Sequence, residues 1–347
     1  MPIASRDADL LTAPLEIRGR ERSARFPVRA LLAPMDGVTD ARFRGLVLDL
    51  GHVGGAVTEF VRITTGPIGR SPLRRELGEP RGGPPVGLQV MTPGPEHVAE
   101  TASAAEAAGA AWVDLNFGCP VKRVFDKCAG SALLADPGKV EAIVAAAVAG
   151  TGLPVSAKVR AGIDDATRLE EVLDAAASGG AAMVTLHARL RRDSYATAAR
   201  WEWIARAAAF LRGRAPGVAL VGNGGVDRAA DGPRMLRETG CDAVMVARAA
   251  LADPWIFREM RGGPGATAAE SAAFALRWLD AVLVPGSERR GVGRAKMLLR
   301  SWRAGGIFEG REEDRRRLLE SPGAGEFREW LLRVAAREPE PVAAGAA

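Results

Sequence analysis

Eight short apolar runs, at 28–33, 54–58, 85–90, 111–115, 154–157, 181–186, 218–222 and 241–247, alternate with alanine-rich segments of helical periodicity such as 95–108, 139–149, 168–177 and 227–238. Strands that are nearly continuously apolar and alternate with helices form a parallel sheet covered on both faces. Eight such units within about 250 residues suit a closed barrel better than an open sheet. No GxGxxG loop follows any of the runs, which weakens a dinucleotide-binding sheet. The expected fold class is therefore α/β, a TIM (β/α)8 barrel followed by a small C-terminal helical domain.

In such a barrel all strands deliver their carboxyl ends to one mouth, where active sites are built. The residues predicted there are Pro34, Met35, Asp36, Glu59, Gln89, Asn116 with Cys119, Lys158 with Arg160, His187 with Arg189, Asn223-Gly224-Gly225 and Arg248. A single cysteine is more often packing than chemistry. Cys119 stands out because Asp114-Leu115-Asn116-Phe117-Gly118-Cys119-Pro120 places a thiol and an amide on a glycine-proline turn at a strand end. A lysine at such a mouth, Lys158, is compatible with a Schiff-base amine, a phosphate contact or an anion stabiliser. The Asn223-Gly224-Gly225 turn and the strand end at Ala247-Arg248 favour a phosphorylated cofactor, since many barrels hold phosphate after their last two strands.

Composition adds bounds. The 47% hydrophobic fraction suits an ordinary core, and no apolar run reaches membrane-spanning length, so a cytoplasmic protein is expected. Three cysteines, Cys119, Cys128 and Cys241, lack metal-ligand spacing, which argues for a reducing compartment and no metal. The excess of 47 Lys and Arg over 42 acidic residues, net +5, permits a polyanionic partner without requiring one.

The expected division is an N-terminal extension at 1–27, a barrel at 28–260, a helical domain at 266–337 after a Gly/Pro linker, and a disordered tail at 338–347. In the helical domain, Phe274, Trp278 and Val282, then Val292, Ala295, Leu299 and Trp302, then Phe327, Trp330, Leu331 and Val334 recur at helical spacing and are core. Lys296, Arg300 and Arg303 follow as a stripe at i, i+4 and i+7, with Arg315-Arg316-Arg317 adding charge. Such a stripe is commonly a solvated flank, and it is also a means of gripping phosphates. The segment 62–84, with Arg70, Arg74, Arg75 and Arg81, reads as a basic, mobile rim loop.

Taken in order, Ala33-Pro34-Met35-Asp36-Gly37-Val38-Thr39-Asp40, Gly87-Leu88-Gln89, the 114–134 segment with Gly118-Cys119-Pro120, Lys158-Val159-Arg160, His187-Ala188-Arg189 with Tyr195, Asn223-Gly224-Gly225, and Ala247-Arg248 with Pro254-Trp255 resemble the tRNA-dihydrouridine synthases. The resemblance spans essentially the whole barrel. It implies an FMN site at Pro34, Met35, Asp36, Gln89, Lys158, His187, Asn223, Gly224, Gly225, Ala247 and Arg248. Asn116 would contact flavin or uracil, and Cys119 would be the general acid. Arg189, Tyr195, Lys296, Arg300 and Arg303 are assigned to tRNA. Three exchanges depart from the family pattern: His-Ala-Arg-Leu at 187–190 for His-Gly-Arg-Thr, Asn-Gly-Gly at 223–225 for Asn-Gly-Asp, and Ala-Arg at 247–248 for Gly-Arg.

The implied reaction reduces the uracil C5=C6 bond, with hydride reaching C6, Cys119 protonating C5 from the opposite face, and NADPH as reductant. An unperturbed thiol, with a pKa near 8.5, is mostly protonated at neutral pH and can deliver that proton. Met35-Asp36-Gly37-Val38 and Thr58-Glu59-Phe60-Val61-Arg62 are similar to the bacterial C-type subfamily, which acts on uridine 16 of the D-loop. The expected partner is tRNA, with no membrane, no metal, and a monomeric chain. Two rivals remain: an FMN barrel oxidoreductase acting on a small free substrate, which a basic helical arm argues against, and a non-catalytic tRNA-binding relative, which intact Asn116, Cys119 and Lys158 argue against.

Overall fold

The computed structural model describes residues 5–336. The 338–347 tail lies outside the described residues. After the helix Ser5–Thr12 come two antiparallel strands, β1 (Leu15–Arg18) and β2 (Ser23–Phe26). Eight parallel strands then close a barrel: β3 (Ala30–Leu32), β4 (Gly55–Arg62), β5 (Val86–Met91), β6 (Trp112–Phe117), β7 (Val155–Gly162), β8 (Met183–Leu190), β9 (Ala219–Asn223) and β10 (Ala243–Val246), with β10 pairing β3. The TIM barrel expected from the alternating pattern is the observed fold. Among the described residues, no helix is long and apolar enough to cross a membrane.

The β1–β2 hairpin was not legible as such in the sequence. It packs Ile17, Ala24 and Phe26 into the same cluster as Trp112 and the amino-terminal ends of the barrel strands. Phe26 meets Trp112 edge-on, with ring centroids 5.1 Å apart, an arrangement the ring quadrupoles favour. Glycines make the room: a Cβ on Gly87 would lie 2.2 Å from the Trp112 indole, and one on Gly55 2.9 Å from the Phe26 ring. Truncating a buried aromatic of this kind costs about 3–5 kcal/mol.

Two register shifts shape the opposite end. Val57 pairs Gly87 but Phe60 pairs Gln89, so β4 carries one extra residue at Thr58-Glu59. Arg160 pairs His187 but Gly162 pairs Leu190, so β8 carries one at Ala188-Arg189. Bulges of this kind re-aim side chains. The segment 62–84 is not all loop, because it contains the helix Arg70–Leu77. That helix is tied down by Arg74, which donates to the Ala108 carbonyl at 3.1 Å, and Arg81 pairs with Asp49.

The chain divides into two compact units, one holding the barrel through Ala247 together with 260–262, the other comprising 248–259 and the residues from 263 onward. In the second unit, Arg258 bridges to Glu270 at 2.9 Å, and Thr267 forms a capping box with Glu270 at the start of the helix Ala268–Val282. These bonds, and the contact of the helix Arg248–Ala252 with the helix Glu288–Ser301, explain why 248–259 group with the helices rather than with the barrel. Phe274 stacks on Trp302 and Phe308 on Trp330, at 5.4 and 4.6 Å. The buried Trp302 indole donates to Ser271 Oγ at 2.8 Å, which donates in turn to the Ala304 carbonyl at 2.7 Å.

Candidate active site

Residues two apart on a strand share a face, and the barrel register stacks polar residues in steps. Gln89, Asp114 and Ser156 are paired neighbours on β5, β6 and β7. One step toward the mouth, Asn116, Lys158 and Thr185 are paired on β6, β7 and β8. Beyond them His187 pairs with Asn223 on β9. The apolar strands thus carry one polar stripe into the barrel.

Cys119 sits in the turn after β6, half-buried and free. Asn116 Oδ1 accepts from the backbone N–H groups of Gly118 and Cys119 at 3.1 and 3.0 Å. From the other side, Ser131 Oγ donates to the Cys119 carbonyl at 2.8 Å. Gly130 has φ +60°, and a Cβ there would stand 3.0 Å from both Cys119 Cβ and its carbonyl, so only glycine lets the two segments close. Like Phe60, Cys119 packs against the cluster of Met91, Val124 and Ala129. That burial raises its pKa, against the pull of a Val121 backbone N–H and of Arg62 and Arg160. A raised thiol pKa keeps the proton on sulfur at neutral pH, which is the state an acid needs.

Lys158 Nζ donates to Asn223 Oδ1 at 3.1 Å, and Asn223 Nδ2 donates to the Met245 carbonyl at 2.8 Å, which orients the asparagine. Desolvation lowers the lysine pKa and the Asp114 carboxylate opposes it. Arg160, 3% exposed, donates to the carbonyls of Gly118 and Leu190 at 2.9 and 2.8 Å, stitching the cysteine turn to β8. Its guanidinium lies 5.9 Å from the Tyr195 ring, which also stacks against His187 at 6.4 Å. Tyr195 is 56% exposed, a flat ring offered to solvent at the mouth.

Arg189 is placed differently from its sequence assignment to tRNA. It is 4% exposed, and its guanidinium lies 3.1 Å from His187 Nε2 and donates to the Thr197 carbonyl at 2.6 Å. The β8 bulge turns it onto His187. Gly224 and Gly225 have φ of +98° and +75°; a Cβ on Gly224 would lie 2.8 Å from the His187 ring, and Trp201 Nε1 donates to the Gly224 carbonyl at 2.9 Å. The turn is bare backbone at the mouth, as its glycine pair required.

At the other side of the mouth, Thr39 Oγ1 accepts from the Met35 N–H at 2.8 Å and fixes the Pro34-Met35-Asp36 turn. The buried Arg44 donates to the Thr39 and Leu77 carbonyls at 3.1 and 3.0 Å, joining that turn to the end of the helix Arg70–Leu77. Glu59, on the β4 bulge, has its Oε1 buried without a hydrogen-bond partner. Burial, with Glu76, Asp36 and Asp40 nearby, pushes its pKa up to about 7. Ala247 ends the barrel unit, and Arg248 begins the helix Arg248–Ala252 of the second unit.

The arm residues also sort out. Lys296 and Arg300 lie on the helix Glu288–Ser301, partly buried and exposed respectively. Arg303 does not continue that stripe, because the helix ends at Ser301 and Arg303 sits in the following turn, its N–H on the Ala252 carbonyl at 2.8 Å. Arg315, Arg316 and Arg317 are engaged locally: Arg315 donates to the Trp302 carbonyl, Arg316 pairs with Glu313, and Arg317 with Asp314 and Glu326.

Sequence reading named Arg160 at the mouth but gave neither it nor Asp114 a role. The available signal was a charge within an apolar strand, Trp112-Val113-Asp114-Leu115. The polar set suits a flavin: an ammonium, three primary amides, an imidazole, a glycine turn, and the buried Thr185 Oγ1 with no hydrogen-bond partner. Among the described residues, no group of three or more His, Cys, Asp or Glu could hold a metal.

The dihydrouridine synthase (Dus) family model matches residues 31–329. The tRNA-dihydrouridine(16) synthase of Cupriavidus necator is 37% identical over 242 residues, covering 67% of this chain and 74% of that relative. The tRNA-dihydrouridine synthase B of Xanthomonas axonopodis pv. citri is 38% identical over 236 residues, covering 67% and 68%. Among solved structures, histamine dehydrogenase from Rhizobium sp. 4-9 superposes with a TM-score of 0.52 at 14% identity, over 84% of this chain and 51% of that one, a likeness of fold alone. With the family model running from the first barrel strand to the last helix, the chain belongs to the dihydrouridine synthase family.

Proposed function

We propose that this protein is a flavin-dependent tRNA-dihydrouridine synthase that reduces the C5=C6 bond of uridine 16 in the D-loop, with FMN as the flavin and NADPH as its reductant, in the cytoplasm. The observation that carries the reading is the placement of the half-buried Cys119 turn, held by Asn116, beside Lys158, which pairs with Asn116 across β6 and β7 at the same mouth. The Cupriavidus relative is named for position 16, which supports that position.

Pro34, Met35, Asp36, Gln89, Lys158, His187, Asn223, the Gly224-Gly225 turn, Ala247 and Arg248 would hold the flavin, which when bound and reduced supplies hydride. Lys158 would offer a positive charge to a reduced, electron-rich ring. Burial lowers the lysine pKa, with the Asp114 carboxylate acting against that shift. Cys119 holds its proton on sulfur and can donate it to C5, a contribution worth about 10²–10⁴-fold for a positioned acid. Asn116 faces the same space and anchors the turn that carries the thiol. Tyr195 supplies an aromatic face on which a flipped-out base can stack. Lys296, Arg300 and Arg303 would contact tRNA phosphates from the helical domain.

The test is incubation of the purified yellow protein with NADPH and unmodified tRNA, followed by nucleoside mass spectrometry and mapping of the modified position. Dihydrouridine at position 16 is the expected product. Dihydrouridine elsewhere corrects the position, and flavin oxidation without any dihydrouridine replaces tRNA by a small free substrate.

A further inference from the structure

Asp114 is 1% exposed and lies on β6 two residues before Asn116, with its carboxylate inside the barrel. A buried carboxylate is costly unless its oxygens are satisfied, and here each has a partner. Ser156 Oγ donates to Oδ1 at 2.5 Å and Gln89 Nε2 to Oδ2 at 2.7 Å. From Gln89 the bonding continues: Asn116 Nδ2 donates to Gln89 Oε1 at 2.8 Å, and Asn116 Oδ1 accepts the N–H groups of Gly118 and Cys119.

Both ends of this chain have a fixed sense, because an ionised carboxylate only accepts and a peptide N–H only donates. The two amides between them are symmetric in shape and could each be turned over. With Asp114 at one end, Gln89 must present its N–H and so must offer its oxygen to Asn116, which in turn has only its oxygen left for the cysteine turn. Every donor points the same way, toward the carboxylate, so each bond polarises the next.

We propose that Asp114 is a positioning residue for Cys119: through Gln89 and Asn116 it fixes which atom of each amide faces its neighbour, and thereby holds the backbone of the turn that carries the thiol. The rival role for the same carboxylate is counter-charge to Lys158. The two roles make opposite demands. Acceptance of a hydrogen bond survives Asp114→Asn, whose oxygen can take the Gln89 N–H while its amide nitrogen donates to a rotated Ser156 hydroxyl. Counter-charge is lost in Asp114→Asn and Asp114→Leu alike.

The assignment rests on Cys119 being the proton donor, so its test includes an arm that needs neither tRNA nor reductant. In the flavin-loaded protein, the rate of Cys119 alkylation by iodoacetamide is followed against pH, with the Cys119 peptide quantified by mass spectrometry. Asp114→Leu is expected to displace that profile and to lower dihydrouridine turnover about 100-fold, the scale of an ångström-sized misplacement, with the KM for tRNA little changed. Asp114→Asn is expected to return the profile to that of the wild type. An Asp114→Leu profile equal to wild type, or an Asp114→Asn profile displaced as far as that of Asp114→Leu, overturns the proposal. Should Asp114→Leu not fold, Gln89→Met breaks the chain at its middle and takes its place under the same criteria. If wild-type protein makes no dihydrouridine at all, the functional reading fails while the alkylation result still stands or falls by itself.

Discussion

The barrel interior and the helical unit both draw on charged side chains, and they use them in opposite ways. Inside the barrel, Asp114, Lys158 and Arg160 are few, desolvated, and each satisfied by groups that other strands and the turns after them bring to it. In the helical unit, arginines are abundant, and several are engaged by their own neighbours, Arg258 by Glu270, Arg317 by Glu326 and Arg328 by Asp280. Exposed pairs of this sort are each worth roughly 0–1 kcal/mol. The lesson is that the count of basic residues on the arm overstates the charge left for a polyanion, whereas the modest number of polar residues in the barrel understates how much they determine.

The sharpest way to break this contrast is to remove the thiol. Cys119→Ala is expected to keep flavin and its reduction by NADPH while losing about 10²–10⁴-fold in dihydrouridine formation, and the exposed Cys128→Ala should stay within about 3-fold of wild type. Single-turnover assays on flavin-reduced protein separate the two, and equal behaviour of both variants would remove Cys119 from its role.

On the arm, Lys296→Gln, Arg300→Gln and Arg303→Gln combined should flatten the plot of log affinity for tRNA against log salt by about two, since each phosphate contact contributes roughly 0.7–0.9 to the slope. Arg316→Gln with Arg317→Gln, whose charges are already paired, should change it by less than about 0.5. Equal slopes in the two sets would mean that local pairing does not decide which arginines meet RNA.

The smallest effect concerns Glu59. Its pKa is raised from the ordinary carboxylate range to about 7, so the native state binds the proton more tightly than the unfolded chain. Stability from that proton is fully present below about pH 4.5 and is lost as pH rises through 7. Glu59→Gln is therefore expected to leave Tm unchanged near pH 4.5 and to raise it on the order of 1–2 °C at pH 8.5, the shift that about 1 kcal/mol produces in a chain of this length. A uniform shift at both pH values would assign the effect to packing instead of protonation.

Much of this molecule could be read from its chain. The period of apolar runs and helices required eight parallel strands, and the Gly118-Cys119-Pro120 turn required a thiol at a strand end. Less legible were features in which one segment needs another. The 15–26 hairpin looked like an extension because its apolar residues find their partner, Trp112, nearly a hundred residues later. The rim segment looked like loop because the bonds that hold its helix and the turn after it end on Ala108 and Asp49. Arg189 looked available to RNA because nothing local reveals the bulge that turns it onto His187.

The sequence by itself determined the architecture and the inventory of the mouth, because strand alternation and turn chemistry are properties of consecutive residues. The tertiary structure alone decided which polar groups meet. Gln89, Asp114 and Ser156 come from three strands, and only the closure of the barrel, with its particular stagger between neighbours, sets them in one hydrogen-bonded line beneath Cys119.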